Sequence, residues 1–505
     1  MNKMATEFVP YSPVGGINSE LPSGSIQDSQ VQDARNFLFS RGRALTRGGV
    51  VEKDAAKSST IGPFVFAQHL TSPQTGGLYF FAKDASSVGT IWRFSSPATY
   101  TQITPSGGNM TGSPASPGIV INANMMWPLG PSYDMIRITT GATYELIGCK
   151  ASFIVGHGAR CLAAYVETYP NRVAWSVIGD ESDWTTVPGS GHTDLSDSSS
   201  WITGLGLINE VVIVCRADGF HFGYPTGTVA MPYRFENRSK KGIGALWGIT
   251  FYDDLLFFAN TQDVFLLTKD GLKAIGGGMR HEIIREINNS RTGNNGVQYQ
   301  GLVTERLSGE LGPWYHLAPA FPPTAPSSVD RWWRYTRRAP HFAYNLREDR
   351  WQKFFYPGVF GGVFSTYSED LNLEELGVGG EGRHQWYYPS SALPVEEEAF
   401  FLGKTLSLGG PTKDMRLRRM LLRYKDTGAG EVRVGCEADL NDTRWGVEEK
   451  VAIGGLCTGK WKRKWVNLEV SGNDFEYKVT VPPGNQLETD LIGGMYEPAS
   501  DYQGT

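Results

Sequence analysis

The chain has 505 residues, several times the usual domain length and enough to bury a large core. Glycine supplies 61 residues, aromatics 12% and charged residues only 20%, a balance that suits short strands and tight turns better than long solvent-facing helices. The formal charge of −5 excludes a protein whose whole surface grips nucleic acid or acidic lipid, though a local charged face stays open.

The N-terminal stretch MNKMATEFVPYSPVGG has neither the apolar core of a secretory signal nor the arginine-rich pattern of a transit peptide, so synthesis and residence in a cytosol are expected. Residues 1–55 read as an arm rich in Ser, Gly and Pro that leads into a strand over Asn36 to Gly49, where apolar residues alternate with cations. Ser29 to Phe39 is also a weak helix candidate.

Residues 56–400 are a procession of short β-prone runs, such as Gly77 to Phe81 and Thr90 to Phe94, each closed by Gly, Pro, Ser or Asn. One phrase recurs: a turn with an acidic residue, four to six apolar residues, another turn, a second apolar run. Asn209-Glu210 opens Val211 to Cys215, and Asp253-Asp254 opens Leu255 to Phe258, 44 residues later. Leu162 to Val166 begins 49 residues before Val211, and His341 to Asn345 begins 86 residues after Leu255, room for two units. A period of 40 to 50 residues with about four strands each predicts a β-propeller, of about six blades. The WD dipeptide of WD40 blades and the Ser-x-Asp-x-Gly-x-x-Trp box of sialidases are both missing.

Within this region the clearest helix candidate is Arg280 to Asn288, two or three turns long. Between Glu305 and Arg338 the rhythm breaks into the Pro/Ala/Ser-rich Pro319 to Ser328 and the dense Asp330 to Arg338, where a long functional loop would project. The longest apolar runs, such as Leu255 to Ala259, fall far short of the ~18 residues of a membrane-spanning helix. Residues 401–505 change to longer alternating strands, including Arg416 to Tyr424, Glu431 to Cys436, Trp461 to Leu468 and Phe475 to Val481, which predict a separate β-sandwich-like domain. It is locally basic, with 14 Lys and Arg against 8 Asp and Glu over residues 404–464.

Catalytic constellations are hard to find. The eight histidines form no H-E-x-x-H, and the chain has no G-x-S-x-G and no phosphate-binding G-x-x-x-x-G-K-[ST]. The carboxylates Asp180, Glu181, Asp183, Asp194 and Asp197 read as turn caps, although paired carboxylates of a glycosidase would need only the right separation. Asp28, Asp33, Asp439 and Asp442 lack EF-hand spacing, and no metal or cofactor is expected. The five cysteines, Cys149, Cys161, Cys215, Cys436 and Cys457, lie far apart and read as buried, reduced and structural.

Cations interleaved with aromatics remain, at Arg331 to Arg338 and Lys460 to Trp465. They fit nucleic-acid contact, a protein-partner rim, or an edge strand guarded by Lys460, Lys462 and Lys464 over a buried face of Trp461, Arg463 and Trp465.

Three phrases carry a family resemblance: Asp33 to Phe39 with Leu45 to Gly49; Pro170 to Trp184; and Ile202 to Leu205 leading into Val211 to Cys215. Together they resemble the β-propeller tail nozzles of short-tailed bacteriophages, also called tail tubular protein B, and the related packaged-DNA stabilisation proteins. The resemblance implies a virion tail protein, not an enzyme, assembled in the bacterial cytoplasm. It implies a hexameric ring at the distal tail end, docked on a tail adaptor protein, in contact with fibres or spikes and, transiently, with DNA leaving through the channel. It also implies a platform built from N- and C-terminal segments, with Arg41, Arg43, Arg47, Arg416, Arg418, Arg419, Lys460, Lys462 and Lys464 as candidate ring surface. Arg331, Trp332, Trp333 and Arg334 would then be a candidate tip or fibre-docking loop. The alternatives are a carbohydrate-binding or glycoside-hydrolysing propeller of a receptor-binding apparatus, and a cellular propeller scaffold.

Overall fold

The recurring acidic turn has a backbone cause. Asn209 and Glu210 both take left-handed φ, 47° and 61°, and Asp253 takes 47°, as two-residue hairpin turns between twisted strands require. In the computed structural model these turns join Ile202–Ile208 to Val211–Arg216 and Thr250–Tyr252 to Leu255–Ala259. The Asn209 N–H donates to Asp254 Oδ1 at 2.9 Å, so one turn is tied to the next. The structure describes residues 7–499 except 48, 53–63, 71–76, 84–88, 96–98, 107–109, 111–113, 115, 140–142, 240–241, 243–248, 269, 292–297, 308–309, 321–338, 357–358, 369–372, 381–385, 391–397, 409–414, 426–429, 439–446 and 454–459.

Seven four-stranded antiparallel units can be followed among the described residues. The first runs through Phe64–Leu70, Gly77–Lys83, Gly89–Ser95 and Thr99–Pro105. Ile119–Ile121, Asn124–Trp127 and Asp134–Ile138 form the second with the start of Thr143–His157, a 15-residue strand whose later half opens the third. Arg160–Val166, Tyr169–Trp175 and Gly191–Asp194 complete the third. The fourth is Ile202–Ile208 to Tyr233–Ser239 and the fifth Thr250–Tyr252 to Gly271–Ala274. The sixth comprises Gln298–Leu307, Glu310–Ala320, His341–Asn345 and Arg350–Phe354. Val359–Ser368, Leu373–Gly380 and Trp386–Ser390 make the seventh, whose outer strand is Gly49–Glu52.

From the second unit to the seventh, first strands of successive units lie against one another, and Val359–Ser368 of the seventh returns to Phe64–Leu70 of the first. Gln68 bridges the first two units: its Nε2 donates to Gly118 O at 3.0 Å and its Oε1 accepts the Gly118 N–H at 2.7 Å. The ring is a β-propeller, with one unit more than the sequence rhythm suggests. Two features hid that unit: a continuous strand shared between the second and third, and an outer strand borrowed from the N-terminal segment. Gly49–Glu52 therefore serves the propeller rather than the platform expected over residues 1–55.

Between units the core is a series of alternating apolar faces, such as Phe153, Leu162, Trp175, Leu205 and Val214 between the third and fourth. Phe257 of the fifth stacks on Tyr315 of the sixth with centroids 4.6 Å apart, a contact contributing about 1 kcal/mol beyond area burial. The helix over Arg280–Arg291 is as predicted, burying Ile283, Ile284 and Ile287 at helical spacing. The other helix candidate, Ser29 to Phe39, is overturned. Asp33–Arg35 and Phe37–Ser40 are strands, because Phe37 and Phe39 fill one core while Leu38 fills the opposite one, a period of two. Among the described residues no helix is long and apolar enough to cross a membrane.

Both chain ends build a β-sandwich. One sheet runs in the order Phe37–Ser40, Arg43–Thr46, Glu488–Pro498, Met415–Lys425, Trp461–Gly472, with Glu7–Tyr11 also on Glu488–Pro498. The facing sheet runs Asp33–Arg35, Ala399–Leu402, Asp474–Val481, Glu431–Ala438, Val447–Ala452, with Leu406–Ser407 on Asp474–Val481. Leu417, Leu422, Ile492 and Tyr496 of the first pack against Val434, Cys436, Tyr477 and Val479 of the second. Cys149, Cys161, Cys215 and Cys436 are free and buried, and burial pushes the Cys149 thiol up to about 12; Cys457 lies outside the described residues.

Candidate interaction surface

The predicted cations fall into two groups at opposite edges of the sandwich. At the propeller-facing edge they are already engaged. Arg47 is fully buried: its Nε donates to Asn36 Oδ1 at 3.2 Å, its other end to Phe355 O at 2.7 Å, and its guanidinium lies 4.3 Å over the Tyr356 ring. Arg47 is thus an internal strut, not a surface between subunits, because the sixth unit's last strand covers it. Arg43 spans Glu310 of the sixth unit at 2.7 Å and Glu488 of the sandwich at 2.6 Å, while Arg41 stays more open beside Glu310 at 3.3 Å. Lys353 completes this joint by pairing with Asp33 and, at 3.1 Å, with Glu282 on the helix. Nothing in the sequence announces these partners, since Glu310 and Glu488 lie 267 and 445 residues from Arg43.

On the strand Met415–Lys425 the cations face outward but are paired within the chain. Arg416 meets Glu469 at 2.6 Å, and Arg418 meets Glu497 at 2.6 Å and Glu469 at 3.6 Å. A bulge between Leu417 and Arg419 sets Arg419 outward as well, exposed and without an ion-pair partner among the described residues.

Trp461–Gly472 is the edge strand beyond it, hydrogen-bonded on one side only among the described residues. Lys460 and Lys464 are exposed and Lys462 half-buried. Its aromatic face, however, is not buried: Trp461 and Trp465 are 40% and 44% exposed, and Arg463 between them is exposed too. The buried positions of this strand are Val466, Leu468 and Gly472, in step with Lys462 and Lys464, so Trp461, Arg463 and Trp465 lie on the solvent side of the sheet and the expected order of the two faces is reversed. Phe8 meets the Trp465 ring edge-on at 6.0 Å, and Arg423 lies 5.0 Å over Trp461. Phe8 was invisible to the sequence reading, since only pairing of Glu7–Tyr11 on Glu488–Pro498 brings it there.

The tip candidates Arg331, Trp332, Trp333 and Arg334 lie outside the described residues. Their segment connects the second and third strands of the sixth unit, Glu310–Ala320 and His341–Asn345.

The groups that could carry chemistry are occupied structurally. Asp180 and Asp183 cap their own turn, and hydrogen bonds from Thr186 and Thr185 hold Asp183 down to about 2. Glu181 is buried and accepts from Asn122 at 2.8 Å, Asn124 at 2.5 Å and Arg137 at 3.2 Å, clasping the third unit to the second. Asp194 holds Arg172 in a two-point pair at 2.7 and 2.9 Å. Asp197 does more than cap a turn. Its carboxylate accepts from Arg216 at 2.6 Å, Asn237 at 2.7 Å and His221 Nε2 at 3.0 Å, and burial lowers the His221 pKa. Held by these three donors, Asp197 ties the loop before the fourth unit to Arg216, His221 and Asn237.

Two histidines that are far apart in sequence do meet: His316 Nδ1 lies 3.0 Å from His341 Nε2, and His316 Nε2 lies 2.8 Å from Thr304. Burial pushes both well down, His341 to about 3, so they are neutral core groups, with no carboxylate orienting them among the described residues. On the propeller axis a cavity of about 400 Å³ is lined by Phe153, Leu205, Ile249 and Phe251, with Gln300 and Asp253 as polar points. A Cβ at Gly206 would lie 2.3 Å from the Phe251 ring, so glycine there lets that ring lie across the axis. Among the described residues no group of three or more His, Cys, Asp and Glu could hold a metal ion.

No protein-family profile and no curated protein matches the sequence. Solved structures do match at low identity. A catalytically inactive virginiamycin B lyase from Staphylococcus aureus, solved with quinupristin, aligns with a TM-score of 0.38 and 11% identity, over 67% of this chain and 98% of that one. An exo-β-1,3-galactanase from Phanerochaete chrysosporium with galactose aligns with a TM-score of 0.26 and 10% identity, over 89% of this chain and all of that one.

Proposed function

We propose that the chain is a non-enzymatic structural component of a bacteriophage virion, a tail nozzle protein that retains packaged DNA and conducts it during ejection. One observation supports this best: a propeller and a sandwich are locked together by partly buried ion pairs, while Glu181, Asp194, Asp197, His316 and His341 are held in hydrogen bonds within the fold. A rigid two-part body without a poised acid, base or nucleophile suits a load-bearing channel wall. Copies would form a ring, six by the family resemblance, on an adaptor protein, with fibres or spikes attached outside. Retention would be steric, by loops or bound partners, and opening would follow host contact.

Immunogold electron microscopy of particles from the source lysate, with antibodies to this chain, tests the reading. Label confined to the tail tip is the expected result. Label on peripheral fibres would favour a carbohydrate-binding role, and unlabelled particles would remove the virion reading. Release of reducing sugar from host surface polysaccharide by purified protein would overturn the non-enzymatic part.

A further inference from the structure

We propose that the sandwich flank formed by Val447–Ala452 and Trp461–Gly472 docks a second copy of this chain about a two-fold axis, with Trp461–Gly472 of each copy set against Val447–Ala452 of the other.

Both strands end their sheets, one in each layer, and they lie against each other on the same side of the sandwich. Among the described residues each has a single strand partner, so there each presents one edge of unpaired backbone N–H and C=O groups. Their charges are opposite. Lys460, Arg463 and Lys464 are exposed with no ion-pair partner among the described residues, and so are Glu448 and Glu449 on the neighbouring strand. Lys450, the remaining charge there, is already 3.7 Å from Glu431 of its own sheet. Pairing like with like would set three cations against three, or two carboxylates against two, which is repulsive. Crossing the layers is the arrangement that satisfies both strands, and a two-fold axis through the flank makes that contact twice. Trp461 and Trp465, with Arg423 and Phe8, lie on the outer face of the sheet next to this edge, where aromatic and arginine side chains can add to a contact that wraps around it.

This association goes beyond the nozzle reading and does not require it: it sets Lys460 and Lys464, which the family resemblance implies as ring surface, in a two-fold contact instead. Particle labelling tests one, and association of the purified chain tests the other.

Analytical ultracentrifugation of the purified full chain should show a dimer that weakens as salt is raised. Two double variants, Arg463→Glu with Lys464→Glu and Glu448→Lys with Glu449→Lys, should each raise the dimer dissociation constant at least about tenfold while melting like the parent. An equimolar mixture of the two should regain the dimer, because both crossed contacts are then complementary again. A parent that stays monomeric at high micromolar concentration overturns the proposal, as does a mixture that fails to reassociate. So does a folded Glu448→Gln with Glu449→Gln variant that dimerises as tightly as the parent at low salt. Saturable binding of an oligo-dT probe, lost in the Arg463→Glu, Lys464→Glu variant and accompanied by a monomeric parent, would reassign the flank to single-stranded nucleic acid.

Discussion

Arg47 and Lys464 stand in sequence phrases that look alike, cations alternating with apolar and aromatic residues, yet they meet opposite fates. Arg47 lies on the propeller side of the sandwich, where the last strand of the sixth unit arrives to cover it and accept its protons. Lys464 lies on the far side, on a strand with one neighbour and with no ion-pair partner among the described residues. What separates a strut from an open surface is therefore not the local pattern but whether the fold delivers a partner from elsewhere in the chain. The joint is fixed by contacts between residues hundreds of positions apart, and the flank is left open because its sheets end there.

Substitutions that remove one side of this contrast should have unequal effects. Arg47→Ala should cost the most, about 3 to 4 kcal/mol, since it opens a void over Tyr356 and leaves Asn36 Oδ1 and Phe355 O short of a donor. Lys464→Ala should leave the unfolding midpoint in urea unchanged. Equal shifts for the two variants would break the distinction between joint and flank.

A second test lies inside the sandwich. Glu437 and Glu476 sit directly opposite each other on paired strands, both buried, and burial first, then the Glu437 charge, pushes the Glu476 carboxyl up to about 7. At pH 4 and below, folded and unfolded chains both hold this proton and nothing is lost. As pH rises through the unfolded value and on to about 7, the unfolded state releases the proton first, so stability falls, by about 2 to 3 kcal/mol over the window. Glu476→Gln should flatten that decline in urea melts taken between pH 4.5 and 8, and a slope that persists would assign the titration elsewhere. At the joint, Glu310→Gln weakens the grip on Arg43 and Arg41 and should cost about 2 kcal/mol.

The sequence carries the propeller because hairpin turns leave a local mark: the residues that tolerate left-handed φ, Asn209, Glu210 and Asp253, recur with the fold's own period. It also carries the sandwich, whose strands alternate over eight to twelve residues. The seventh unit is not legible, since pairing of Gly49–Glu52 with Trp386–Ser390 links residues more than 300 positions apart and leaves no periodic trace. The candidate surface was legible only as a set of cations. Alternation along Lys460 to Trp465 predicts two faces but not which of them meets the core, and the buried Val466 and Leu468 fall in step with the lysines, not the tryptophans. Asp197 misled in the other direction, because a turn acid that also holds a buried arginine from a neighbouring strand has the same local sequence as one that does not.

The finest test of the open flank concerns Trp465. Its ring is nearly half exposed, so Trp465→Ala removes little core, and the loss falls mainly on the edge-on contact with Phe8. Such aromatic pairs contribute about 0.5 to 1.5 kcal/mol, and the lower end suits an exposed pair. That energy is local: Glu7–Tyr11 is held by backbone bonds to Glu488–Pro498, and Phe8 is its outward anchor. Global melting should therefore barely move, while amide exchange across Glu7–Tyr11 should speed up several-fold relative to the buried strand Asp474–Val481. If exchange rises equally in both strands, Trp465 and Phe8 are part of the cooperative core, and the flank is less independent of the sandwich than its exposure implies.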